Sequence, residues 1–118
     1  VWIVVDAGTV LDATEARRAL EMSVHQALEW AMHERLEYNA GIIDPRSYLS
    51  YRNITDPGVP SISVNVLESD ARLAYGIVDL PQAIVPAALA AAVSQATGRY
   101  MDRIPTNPGT IHDYLEPE

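Results

Sequence analysis

The chain has no cysteine in its 118 residues. That excludes a disulfide framework, a thiolate zinc site and a cysteine-held iron–sulfur cluster within it. It also lacks any apolar run of the eighteen or more residues that a membrane span needs, and the first residues read as a strand, not as a basic signal peptide. Basic residues are scarce: eight Lys and Arg stand against sixteen Asp and Glu, for a net charge of −8. Such a surface repels phosphate backbones and anionic headgroups, so neither nucleic acid nor membrane is expected as a partner. No GxSxG, P-loop or GxGxxG segment occurs, and no serine or threonine stands in a nucleophile motif with a histidine.

What remains is a chain with 48% apolar composition and the length of one domain able to bury a real core, expected to span 1–118. VWIVVDAG opens it as a core strand, with no initiator methionine at Val1 and no polar residue ahead of it. This start leads us to expect a piece of something longer, or a chain whose upstream sequence was removed.

Trp2 to Val5 is β-branched and apolar and ends at Asp6-Ala7-Gly8, which predicts a buried strand and a turn. Thr14 to about Tyr38 favours helix throughout. Its predicted buried face is Leu20, Val24, Ala27, Leu28, Ala31, Met32 and Leu36, and Asp12 or Thr14 is the expected cap. Asn39-Ala40-Gly41 reads as a turn, and Asp44 to Pro60, interrupted by proline, as an extended, loop-rich stretch. SISVNVLES alternates Ile62, Val64 and Val66 against polar residues, the two-residue period of a half-buried strand. A second helix is expected from near Pro81 to Thr97, closed by Gly98, with Pro86 marking a bend or the true first turn. Thr106-Asn107-Pro108 starts a short terminal helix. The fold class is therefore α+β, strands packed with two main helices and a short C-terminal one.

Four positions could carry metal chemistry. Glu21, His25, Glu29 and His33 fall four apart and form one row along the first helix, and such a row can hold a divalent ion or form ordinary pairs on a wet face. Consecutive members rise about 6 Å, long for more than two ligands on one ion, so no metal site is assigned. His33-Glu34 starts like HExxH, but position 37 is Glu and the second histidine is missing. His25, His33 and His112 all fall in predicted helices. Trp2 and Trp30 read as core or interface fillers, and Asp102 with Arg99 and Arg103 as a paired, solvated surface. Asp79, ahead of Pro81, has the chemistry of a helix N-cap.

The order of blocks says more than any one motif. VVDAG comes first, then Glu21, Val24, Gln26, Leu28, Ala31 and Glu34 in the pattern ExxVxQALxxAxxE, then SYLSY, ISVNVLESD, VPAALAAAV and QATGRYMDRIP. Together they resemble the C-terminal part of the molybdenum-binding subunit of the xanthine dehydrogenase and aldehyde oxidase family, on its isoquinoline 1-oxidoreductase-like side. The resemblance implies part of a molybdopterin-dependent oxidoreductase that hydroxylates aldehydes or N-heteroaromatics. It implies molybdopterin in the complete assembly and none held by this segment alone. The implied partners are the remainder of the large subunit, or a larger partner chain, and an iron–sulfur subunit. The expected location is cytoplasmic, with a periplasmic one also open, and the expected state is oligomeric.

The departures from the family fall where the cofactor would lie. The family's glutamine two residues before the glutamate matched by Glu21 is Ala19 here, and its pair of small residues is replaced by Met22 and Ser23. The glutamate that serves the family as catalytic base is matched, without a gap, by Val78, and its preceding glycine by Ile77. A one-residue slip matches Asp79 instead, with Gly76 two positions early. The resemblance thus leaves two readings: a hydroxylase segment in which Asp79 is a displaced base, or a module that keeps the fold for assembly and interaction with Asp79 as a cap. A third, a free-standing binding module unrelated to molybdenum, requires the resemblance to be accidental. A module cut from a large subunit should expose an apolar face and associate through it.

Overall fold

The fold comes from a computed structural model that describes residues 1–51, 58–69 and 72–116. Strand β1 (Trp2–Asp6) pairs in parallel with β4 (Ser63–Leu67), with Ile3 opposite Val64 and Val5 opposite Val66. Helix α1 (Ala13–Met32) lies in the connection between them, as parallel strands require a crossover. A short antiparallel hairpin of β2 (Glu37–Asn39) and β3 (Ile42–Asp44) interrupts that connection. Helix α2 (Leu80–Thr97) packs on α1, and α3 (Pro108–Leu115) ends the described chain.

The two-residue alternation of β1 and β4 decides the core. Ile3, Val5 and Val64 turn inward onto Leu20, Val24, Ala27 and Leu28 of α1 and Val85 of α2. Leu20 and Val24 are wholly buried, and each such side chain contributes about 1.5–3 kcal/mol by leaving water. The opposite face of the sheet is bare. Trp2 is 89% exposed and Val4 61% exposed, so Trp2 fills no core.

Local chemistry sets the helix ends. Asp12 caps α1 through its carboxylate, which accepts from the backbone N–H of Thr14 and Glu15 at 2.9 and 3.0 Å. Asn107 caps α3 in the same way, accepting from Thr110 N at 2.9 Å. Gly98 closes α2 with φ of 69°, the left-handed conformation expected of it. Pro86 is neither a start nor an end: α2 begins six residues earlier at Leu80, and the proline is buried inside the helix.

The first helix is shorter than its sequence predicts. It ends at Met32, with His33 as C-cap, and Leu36 is exposed on the way into β2. The cause lies far along the chain. The Ala31 carbonyl, which a continuing helix would offer to Arg35, accepts instead from Thr106 N at 2.7 Å, while Glu29's carbonyl takes both His33 N and Glu34 N. The freed residues pair as a hairpin. Ala40 and Gly41 both have positive φ, 50° and 79°, as a two-residue primed turn demands. Strand β3 takes up the start of the stretch expected to be extended and loop-rich; 52–57 of that stretch, and Asp70 of the ISVNVLESD block, lie outside the described residues.

At the C-terminal end of the sheet, Asp6 of the VVDAG block ties the chain back on itself. Its carboxylate accepts from Gly8 N at 2.9 Å and from Ser69 Oγ at 3.0 Å. Gly8 has φ of 66°, and a Cβ there would stand 2.3 Å from the Leu73 carbonyl oxygen. Only glycine fits both constraints.

Candidate functional site

Of the residues singled out by sequence, Ser23, Val78 and Trp30 come together at one seam, where the middle of α1 meets the segment leading into α2. Helical periodicity turns Ser23 inward, and it is 2% exposed. Its hydroxyl donates to the carbonyl of Val78 in a very short hydrogen bond. Beside it, the Nε1 of Trp30 donates to Gln82 Oε1 at 2.8 Å, and Gln82 Nε2 reaches the carbonyl of Ser23 at 3.5 Å. Two turns of α1 thus hold the start of α2 through side chains on both helices, and Trp30 works as an interhelical bridge. Sequence reasoning missed Gln82 and this role of Trp30; a glutamine one residue after Pro81 carries no signal until α1 is placed beside it.

Asp79 occupies the N-cap position of α2 but does not cap it. Its backbone is helical, with φ of −86° and ψ of −11°, and its carboxylate makes no capping bond. Cap side chains reach the free N–H groups from an extended backbone, as Asp12 does at φ of −140° and ψ of 104°. The start of α2 is held by Pro81 in its first turn and by backbone bonds from Leu80 N to Ile77 O and Gln82 N to Asp79 O, at 3.3 and 3.2 Å. Asp79 is an exposed carboxylate, and the bare cap expected of it is corrected to a cap in position only.

Glu21 and His25 are half-buried and share a groove of about 540 Å³ with Met22, Gln26, Val59, Pro60 and Ile62. Met22 leans into that open groove and is 62% exposed, so it does not close the seam; Ser23 does. The row Glu21, His25, Glu29 and His33 stays a row. Among the described residues no three His, Asp or Glu side chains come close enough to hold one metal ion.

The expected surface pairing of Asp102 is also redistributed. Arg103 Nε is 3.9 Å from its carboxylate, whereas the hydroxyl of Tyr114 donates a hydrogen bond to it. That bond holds the Tyr114 phenol above its usual pKa, with desolvation adding to it. Near the end of α1, desolvation and the negative charges of Glu34 and Glu29 raise Tyr51 as well.

No family model matches the sequence. The chain is 27% identical over 108 residues to the isoquinoline 1-oxidoreductase subunit beta of Brevundimonas diminuta, covering 92% of this chain and 14% of that one. In fold it matches quinoline 2-oxidoreductase from Pseudomonas putida 86 with a TM-score of 0.86 at 22% identity, over 99% of this chain and 16% of that one. The resemblance to the molybdenum hydroxylases holds. A Cu,Mo-CO dehydrogenase shares the fold as well, with a TM-score of 0.79 at 17% identity over 93% of this chain and 15% of that one. The α+β class expected from sequence is the observed one, and the chain corresponds to about a seventh of each molybdenum hydroxylase chain it matches. No described helix is long and apolar enough to cross a membrane.

Of the positions matched to the cofactor side, Ala19 and Val78 offer no polar side-chain atom and Met22 only a weak thioether acceptor. The hydroxyl of Ser23 is spent on the protein's own backbone.

Proposed function

We propose that this chain serves as an assembly segment within a larger molybdenum-hydroxylase-like particle, keeping the fold of that family without supplying its base. The observation that carries the reading is the Ser23–Val78 bond. Val78 stands at the position matched to the family's catalytic glutamate; its side chain cannot accept a proton, and its carbonyl is engaged by Ser23. General-base work needs an ionisable group within hydrogen-bond reach of the reacting atom. The seam is instead a packed joint between two helices.

A second reading is favoured by one observation. Asp79 makes no capping bond, so helix α2 does not account for its carboxylate. In a hydroxylase assembly with the remaining cofactor site supplied by other sequence, Asp79 would be a displaced base, one residue late and one methylene short. N-heteroaromatics would then be the substrates, as the name of the isoquinoline relative suggests, or aldehydes, as the family resemblance implies.

Molybdenum and pterin content, measured with native mass on the protein from its source organism, separates the two. A larger particle free of both supports the assembly reading. Stoichiometric molybdopterin, with turnover lost in Asp79→Asn, supports the second and overturns the first.

A further inference from the structure

Among the described residues the parallel sheet has two strands, and the other side of β1 carries no partner strand. The bonds from Ser63 N to Val1 O (2.9 Å) and from Ala7 N to Leu67 O (3.0 Å) fix which residues of β1 face β4. Bonding alternates along a parallel strand, so the odd residues, Ile3 and Val5 with them, serve β4. Trp2, Val4 and Asp6 therefore direct their N–H and C=O groups to the other side. Such a row of unpaired groups is a template for an added strand.

Directly beside that edge lies a groove of about 310 Å³, lined by Val1, Trp2 and Ile3 on one side and by Ile84, Ala88 and Ala92 of α2 on the other. No residue of β4 lines it. Helix α2 explains why the groove is apolar. It has no charged residue from Leu80 to Thr97, and only Pro81, Val85 and Pro86 are buried. A helix that is apolar all round belongs inside a structure.

We propose that the free edge of β1 and this groove receive an extended, uncharged segment of a larger polypeptide as a third strand of the sheet. The unpaired backbone row calls for a strand, because a helix or a small ligand would leave those N–H and C=O groups without partners. The absence of charge in the groove calls for apolar or small neutral side chains facing it, since a buried charge would have no counter-ion. Charge argues against a second copy of this chain: each copy carries −8, and two-fold pairing of β1 about Val4 would set Trp2 against Asp6 and bring two acidic surfaces together. The molybdenum hydroxylase chains it matches have ample sequence for such a strand, since the match covers only 14 to 16% of each.

The proposal rests on the assembly reading above, and its test separates the two. Val4→Pro removes only the outward N–H of β1, as edge strands tolerate, and Ala88→Glu places a charge in the groove at a residue exposed in the isolated chain. Each variant, introduced into the source organism, is followed by native mass, and the intact particle by hydrogen exchange at single-residue resolution. We expect at least a tenfold loss of the larger particle in both variants. In the wild-type particle, the amides of Trp2, Val4 and Asp6 should exchange at least a hundredfold more slowly than in the isolated chain. A particle that forms normally with both variants overturns the strand and leaves the assembly reading standing. A wild-type chain that is monomeric in its source overturns both. A homodimer abolished by Val4→Pro overturns the larger polypeptide as the occupant, and disruption by Ala88→Glu without slowed exchange at Val4 overturns the strand in favour of another binding mode.

Discussion

The buried hydroxyl of Ser23 on α1 donates to the carbonyl of Val78 at the foot of α2. By the resemblance, Val78 stands at the position of a glutamate, and Ser23 at one of a pair of small residues that are usually glycines. The two departures satisfy each other, which is the physical content of the claim that this seam has become a joint.

Ser23→Ala should therefore cost stability. Losing the donor removes one part-buried hydrogen bond to the Val78 carbonyl, a loss of roughly 1 kcal/mol, seen as a fall of a few degrees in Tm. Ser23→Gly should cost about a further 1 kcal/mol, because glycine disfavours the helix interior. Urea unfolding of the three proteins side by side gives the comparison.

Two acids at helix starts should behave differently. Asp12→Ala removes an acceptor used by two backbone N–H groups and should destabilise by about 1 kcal/mol. Asp79→Ala removes no capping bond and should stay within about 0.5 kcal/mol of the parent. Equal losses in thermal melts would show that Asp79 caps α2 after all.

Gly8→Ala should be the most damaging single change at the end of the sheet. It puts a Cβ 2.3 Å from the Leu73 carbonyl oxygen at a φ of 66°, and the strain of such a conformation alone is about 1–3 kcal/mol before the clash is counted. The checks are soluble yield and denaturant midpoint.

Tyr114 should titrate above the ordinary phenol value, because its hydrogen bond to Asp102 favours the neutral form. A folded pKa raised above the unfolded one gives stability that is present below about pH 10 and is lost as pH rises through the folded value. Tyrosinate absorbance during an alkaline titration should show Tyr114 and Tyr51 ionising late, with only Tyr114 brought back toward the others by Asp102→Asn.

Much of the fold was legible because its signals are local. The two-residue alternation of Ile62, Val64 and Val66, the cap at Asp12, the left-handed Gly98 and the Asn107-Pro108 start each act within a few residues, and each holds in the structure. The end of α1 was not legible. Glu34, Arg35 and Leu36 are good helix formers, and what stops the helix is Thr106 taking the Ala31 carbonyl from a distant part of the chain. The hairpin strands were hidden for the same reason, although their turn was read correctly. In the candidate site, the order of blocks singled out Met22, Ser23, Val78 and Asp79. Pairing Ser23 with Val78, and Trp30 with Gln82, needed the two helices in register. Asp79 misled because a short acid before a proline has the composition of a cap, while its helical backbone turns the carboxylate away from that job.

The most direct test of the central claim is molybdenum and pterin content with native mass, on the particle isolated from the source organism. The account predicts a particle larger than this chain that contains neither molybdenum nor pterin. Molybdopterin in stoichiometric amount, with hydroxylation lost on Asp79→Asn, would contradict it and make Asp79 the base.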